Sequence, residues 1–265
     1  MNRMKKHLLS LALLALSASS FAQNPPTLRF GVEPGFAPYE SKDAQGNLVG
    51  FDIDLGNAIC AHLQLTCVWV PNSFDGIIPA LNARKFDAIL SAMNITAARQ
   101  KQVDFTDKIY NPPIFLVARK NTLAGNQPGV LRGKTVGVEQ GSSQEAYARK
   151  HYQPSGVSVI PYQGSQNVIQ DLAAGRLDAA ILAGVVADYN FLRQPQGADF
   201  AFVGNPLDDA ELFGAGAAIA VRKGDDTLRT RLNGAIAALI ADGTYKTLAD
   251  NYFSFDIYAG PAPAP

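Results

Sequence analysis

The sequence is poor in the residues that build redox and metal sites. Its 265 residues include two cysteines, three histidines, three methionines and one tryptophan. His7 belongs to the N-terminal segment, and His62 and His151 stand away from any cluster of cysteine and carboxylate beyond the Cys60–Cys67 pair itself. A four-ligand zinc centre is therefore not expected, and no cofactor is called for. Charge is equally scarce: 17% of residues are charged, with 23 basic against 23 acidic. Without a basic stripe, nucleic acid is excluded as a partner. Past the N-terminal segment, no run is long and apolar enough to cross a membrane.

That N-terminal segment has a different character. Arg3, Lys5 and Lys6 precede an apolar run from Leu8 to Ala18 broken only by serines, and Ser20-Phe21-Ala22 places small residues three and one positions before a cut. This is the pattern of a secretory signal peptide, 1–22, cleaved after Ala22 and exporting the chain. A membrane anchor is the competing reading, but the apolar run is short for one. No cysteine stands at the cut, so nothing there suggests a lipid anchor. Cleavage removes three basic residues and no acidic ones, leaving 20 against 23 and a mild balance of −3. In an exported chain the Cys60–Cys67 pair, enclosing six residues, is expected to form a local disulfide. By loop entropy it stabilises the fold by roughly 2–3 kcal/mol.

One pattern occurs twice. Leu28-Arg29-Phe30-Gly31-Val32-Glu33 and Thr135-Val136-Gly137-Val138-Glu139 both read as strands ending on a carboxylate. Downstream of each lies a helix end, a turn and a second apolar strand: Leu81 to Leu90 with Lys85-Phe86-Asp87-Ala88, and Leu172 to Leu182 with Arg176-Leu177-Asp178-Ala179. Chance similarity in an alanine-rich chain is the alternative. Otherwise each half supplies strand, helix, strand, the signature of an α/β fold with two lobes, each a mostly parallel sheet flanked by helices. Tyr110-Asn111-Pro112-Pro113 and Phe213-Gly214-Ala215-Gly216 are the expected inter-lobe crossings, forming a two-strand hinge. Lobe 1 is then discontinuous, 23–111 plus 213–259, with lobe 2 at 112–212 and crossings near 110–113 and 207–216. Residues 260–265, Gly-Pro-Ala-Pro-Ala-Pro, are expected to be a disordered tail.

In open parallel sheets, ligands bind beyond the carboxyl ends of the strands. That directs attention to Glu33–Tyr39, Ser91–Arg99, Glu139–Ser143 and Ala183-Gly184. Within them, Thr96 can cap a helix and set Arg99 at its third position. A cation in a first turn opposes the helix dipole, a conflict that an anion held by the guanidinium and the free amides resolves. An exposed arginine paired with a nearby acid is the equal alternative. Ser142-x-x-Glu145 is a capping box, whose helix start either faces the cleft or is simply a helix start. Phe36, Tyr39 and Phe74 lie in turn-like stretches where rings can sandwich a ligand or simply pack into the core, and Trp69 in its strand reads as core.

These stretches resemble, nearly end to end beyond the signal peptide, the periplasmic amino-acid-binding proteins of ABC importers, solute-binding protein family 3, and especially the lysine/arginine/ornithine- and histidine-binding group. The motifs are Phe36-Ala37-Pro38-Tyr39, Gly50 to Leu55, Cys60 to Cys67, Phe74-Asp75-Gly76-Ile77-Ile78-Pro79, Ile95-Thr96 with Arg99-Gln100, Gln140-Gly141-Ser142, Ala174 to Ala179 and Asp242-Gly243-Thr244-Tyr245. The resemblance implies a periplasmic binding protein fold that closes by a hinge, a monomer that delivers a small amino-acid-like ligand to ABC permease subunits in the inner membrane, and the Cys60–Cys67 disulfide. It implies Arg99 as the clamp of the ligand α-carboxylate with the backbone of Asn94 and Ser143, Ser142 joining as the second lobe closes, Ser91 near the amino group, Phe36 and Phe74 beside the side chain, and Glu33 at the distal cation. Three positions depart from the family pattern. Ala92 lacks a hydroxyl, Glu139 replaces an apolar residue, and Ala183 occupies the place of an aspartate that pairs with the α-ammonium. An unpaired ammonium in a closed cleft would cost several kcal/mol, so the expected ligand is either a basic amino acid aided by Glu139, or an opine or guanidino acid with its α-nitrogen absent or substituted. The chain is not expected to be an enzyme. The competing classes are a cyclohexadienyl dehydratase-like enzyme on the same fold, with Glu139 as general acid, and a sensory binding protein serving a receptor.

Overall fold

The computed structural model of the protein describes residues 26–258. The expected signal peptide with its cut after Ala22, and the expected tail 260–265, lie outside the described residues. In chain order the strands are β1 (Thr27–Val32), a short hairpin of β2 (Ser41–Lys42) and β3 (Leu48–Val49), β4 (Thr66–Pro71), β5 (Ala88–Ile89), β6 (Val103–Phe105), β7 (Ile114–Arg119), β8 (Thr135–Glu139), β9 (Ser158–Tyr162), β10 (Ala179–Ala183), β11 (Phe200–Leu207) and β12 (Ala220–Arg222).

Two five-stranded sheets result, in the orders β4-β1-β5-β12-β6 and β11-β7-β10-β8-β9. Three strands of each, β4-β1-β5 and β10-β8-β9, run parallel, as the repeated strand–helix–strand pattern requires. The expectation of mostly parallel sheets needs amending. Where the chain arrives from the other lobe its direction is reversed, so β12 lies antiparallel to β5 and β6, and β7 antiparallel to β10 and β11. The first sheet thus takes strands from both ends of the chain. The two crossing segments lie side by side and antiparallel, with the Ala217 N–H donating to the Tyr110 carbonyl at 2.8 Å.

The repeat has a common structural cause. In the first lobe the Arg29 N–H donates to the Asp87 carboxylate at 3.0 Å, and in the second the Thr135 N–H donates to Asp178 at 2.8 Å. Each aspartate therefore satisfies an amide in the first half of the neighbouring strand, the third of β1 and the first of β8. The residue before it fills the gap over a glycine: a Cβ built on Gly31 would lie 2.4 Å from the Phe86 ring, and one on Gly137 2.4 Å from Leu177. Any side chain there would push the helix–turn–strand unit off the sheet.

Helices cover both sheets. The helix α1 (Phe51–His62) buries Phe51, Ile53, Leu55 and Ile59, and its Cys60 is disulfide-bonded to Cys67 in β4. The next helices are α2 (Ile77–Asn82), α3 (Ala97–Gln100), α4 (Ser143–Tyr147) and α5 (Ser165–Ala173). In α5 the spacing of Val168, Ile169 and Leu172 puts all three on one buried stripe, each worth about 1.5–3 kcal/mol of burial. Beneath the cleft the first lobe is aromatic: Tyr39 stacks on Tyr110 at 4.7 Å, and Phe51 meets Tyr245 and Phe253 edge-on. Tyr39 is fully buried there, so of the loop aromatics it is core rather than cleft. Trp69 is only half-buried; it stacks on Phe30 and donates from Nε1 to Asn57.

Candidate functional site

The carboxyl ends of β1, β5, β8 and β10 point at one another across the gap between the sheets. All eleven expected residues, Glu33, Phe36, Phe74, Ser91, Ala92, Asn94, Arg99, Glu139, Ser142, Ser143 and Ala183, line one cavity there. Glu40, Pro112, Ile114 and Gln144 line it too and were not anticipated. Its volume is about 400 Å³. The lobes are closed on each other. Cross-lobe hydrogen bonds run from Ser165 Oγ to the Gly35 carbonyl, from Asn190 Nδ2 to the Ala37 carbonyl and from Arg99 Nη2 to the Gly141 carbonyl.

Arg99 sits where the local argument put it. Thr96 Oγ1 accepts the Arg99 N–H at 3.2 Å, capping α3, and the side chain turns inward with 8% exposure. Nη1 donates to the Asn94 carbonyl at 3.0 Å and Nη2 to Gly141 at 3.2 Å, while the guanidinium lies 5.2 Å from the centre of the Phe74 ring. It is not an exposed, acid-paired arginine. Burial lowers its pKa to about 10, with Glu139 opposing, so it stays cationic at neutral pH. On the facing wall Ser142 Oγ accepts the Glu145 N–H at 3.1 Å, opening α4. The capping box is displaced by one residue, because Glu145 reaches back to the N–H of Gly141 rather than of Ser142.

Glu33 follows β1 and is half-buried; burial raises its pKa, against the Gly35 N–H donated to its carboxylate. Ser91 follows β5. Its hydroxyl accepts the Glu33 N–H at 3.0 Å and donates to Glu40 Oε1 at 2.8 Å, so the only hydrogen it has to give is committed. Ala92 stands in the left-handed region at φ 44°, held by donation of its N–H to Asp52 at 3.0 Å. Asn94 is fixed from its Nδ2 to the Phe213 carbonyl at 2.9 Å. Ser143 donates to Gln144 Oε1, and Ala183, the last residue of β10, contributes only a methyl.

The electrostatics are lopsided: three carboxyls, Glu33, Glu40 and Glu139, face one guanidinium. Glu139 closes β8 with 5% exposure, and its Oε1 has no hydrogen-bond partner. Burial pushes it up to about 8; Glu33 and Asp75 add to the rise and Arg99 opposes it. Beneath the cavity, burial pushes Asp52 up to about 7, against the Ala92 N–H and the Tyr110 hydroxyl. Glu40, fully buried beside Asp52, is raised further, by burial first and by Asp52 second. Glu40 was missed because it lies in a short irregular segment with no periodicity. The only signal for it is its place directly after the candidate stretch Glu33–Tyr39.

Among the described residues no cluster of histidine, cysteine and carboxylate fits a metal ion, and no helix is long and apolar enough to cross a membrane. An arrangement of one fixed guanidinium, three facing carboxyls and two rings suits a small zwitterion with extra positive charge.

Comparison with known proteins leads to the same place. Over residues 28–255 the sequence matches the model of the bacterial extracellular solute-binding proteins, family 3. It is 46% identical to the histidine-binding periplasmic protein of Salmonella typhimurium LT2, over 97% of this chain and all of that one. It is also 46% identical to the lysine/arginine/ornithine-binding periplasmic protein of Escherichia coli K12, over 96% and 99%. A solved Salmonella typhimurium periplasmic binding protein of high arginine specificity superposes with a TM-score of 0.80 at 33% identity, over 86% of this chain and all of that one. In sequence, in its two mixed sheets and in the cavity between them, this chain belongs to the bacterial extracellular solute-binding proteins, family 3.

Proposed function

We propose that this protein is the periplasmic binding component of an ABC importer, capturing a carboxylate-bearing cationic amino acid by lobe closure. The observation that carries this reading is Arg99, a buried guanidinium aimed into an inter-lobe cavity whose other charged groups are all carboxyls. A ligand with one anionic and two cationic groups offers a partner to Arg99 and to the excess of carboxyls; a neutral or acidic amino acid leaves that excess unmatched. The names of the relatives, which bind histidine, lysine, arginine or ornithine, support the same chemistry. Arg99 clamps the α-carboxylate together with the start of α4, Phe36 and Phe74 flank the side chain, and Glu33 takes the distal cation. Residues 26–111 with 213–258 form one moving unit and 112–212 the other, turning on the paired segments at Tyr110 and Ala217.

The protein works as a monomer exported through its signal peptide, and its closed form is what the permease subunits recognise. Ligand drives closure because it binds the shut form more tightly. Binding without turnover is supported by the cavity lining, which contains no lysine or histidine to shuttle a proton beside Glu139. The test is a calorimetric and thermal-shift panel of arginine, lysine, ornithine, histidine, glutamate, leucine and octopine. Basic amino acids raise the melting temperature; a response confined to leucine or glutamate refutes the reading. Turnover of prephenate or arogenate by the purified protein would refute the non-enzymatic part.

A further inference from the structure

Glu139 is the one charged residue that the second lobe brings to the cavity, and it has no hydrogen-bonding reason to be there. Its carboxyl is almost fully buried and Oε1 finds no donor. Buried carboxylate oxygens are nearly always satisfied, so an empty one facing a cavity implies a donor that arrives with the guest. Of the polar groups beside it, Ser142 Oγ accepts from Glu145 and Glu33 Oε2 accepts from Gly35. At the end of β10 the wall is the methyl of Ala183. Across the cavity, on the first lobe, stands Glu40, whose Oε1 accepts from Ser91 and whose carboxyl is hydrogen-bonded to Asp52.

Position matters as well. Glu139 shares the cavity with Arg99 and Glu33 and feels the charge of both, the two groups proposed to hold the ligand's poles. The amino group of an α-amino acid sits one carbon from the carboxylate that Arg99 holds, next to the clamp and away from the distal cation.

We propose that Glu139 is the specificity-determining residue for the ligand's α-ammonium: its Oε1 receives that group from the second lobe as the cleft shuts. This rests on the cationic amino-acid reading and deepens it. The pairing also explains how so buried a carboxyl is accommodated, since the ammonium returns to Glu139 the stabilisation of its ionised form that burial removes.

The test is a cycle between ligand and residue. Calorimetry compares arginine with 5-guanidinopentanoic acid, which is arginine without its α-amino group, on the wild type, Glu139→Gln and Glu139→Asp. We expect Glu139→Gln to weaken arginine by about 10- to 100-fold, the range for a charge-assisted hydrogen bond, and the guanidino acid by less than about threefold. Glu139→Asp, which keeps the charge, should restore part of the arginine preference. Equal losses for both ligands, or undiminished arginine binding by Glu139→Gln, overturn the assignment of Glu139 alone. A wild type that binds the guanidino acid as tightly as arginine overturns it too, because no ammonium is then being read. Should the wild type bind no basic amino acid at all, the broader reading falls and takes this inference with it.

Discussion

Replacing Arg99 with alanine probes the site most directly. The guanidinium is 8% exposed and already locked by the Asn94 and Gly141 carbonyls and by the Phe74 ring. Little side-chain entropy is therefore left to lose when a carboxylate docks against it. Removing one partner of such a buried pair costs about 3–5 kcal/mol, or roughly 150- to 5000-fold in Kd. The Nη2 bond to Gly141 also spans the lobes, so its loss weakens closure by about 1 kcal/mol more. The ligand's anionic end would then face Glu33, Glu40 and Glu139 with no cation nearby. Calorimetry with the best basic amino acid at neutral pH reads the effect, and melting curves without ligand check that the variant folds. Arg99→Lys keeps the charge but not the planar fork, and should fall between the two. If Arg99→Ala binds within about a factor of three of the wild type (well under 1 kcal/mol), the clamp is wrongly assigned and the account of the cavity fails.

Other consequences follow from the same coordinates. Asp52, buried beneath the cavity within the first lobe and pushed up to about 7, holds a proton in the folded protein that the unfolded chain sheds above its ordinary carboxyl range. Its raised value makes stability fall as pH rises from about 4 to 7; the melting temperature of ligand-free wild type should drop over that interval, and with a shallower slope in Asp52→Asn. Parallel slopes would show that Asp52 is not titrating there. The double variant Cys60→Ser with Cys67→Ser removes a cross-link between α1 and β4, worth roughly 2–3 kcal/mol by loop entropy. Its melting temperature should fall by about 4–12 °C, and a fall below 1 °C would deny the bond any role in stability. Gly214 has φ 65° and ψ −158°, a region open only to glycine, and a Cβ there would lie 1.7 Å from the Ile95 carbonyl oxygen. Gly214→Ala should displace the return crossing and lower both stability and ligand affinity; unchanged values on both counts would mean the crossing is not constrained as described.

Much of this molecule could be read before any coordinates existed, wherever a residue's role is set by its near neighbours. Thr96 three residues before Arg99, and Ser142 three before Glu145, specify helix starts through bonds that span one turn, and both caps are present. The paired strand ends at Glu33 and Glu139 followed from a repeat whose cause, an aspartate capping a strand and a large side chain over a glycine, is local to each lobe. Legibility stopped at contacts between segments distant in the chain. Tyr39 looked like Phe36, three residues away, yet one packs on Tyr110 in the core and the other faces the cavity. The antiparallel β12 and β7 depend on which way the chain re-enters each sheet.

Sequence by itself determined the α/β class, the two-lobed plan and the presence of a cation at a helix start, because backbone hydrogen bonding and apolar periodicity act over a few residues. Only the tertiary structure decided which carboxyls are charged and which are orphaned. Burial is a property of the whole assembly: Glu40, Asp52 and Glu139 are ordinary acids until Tyr39, Tyr110 and the facing lobe shut water away from them.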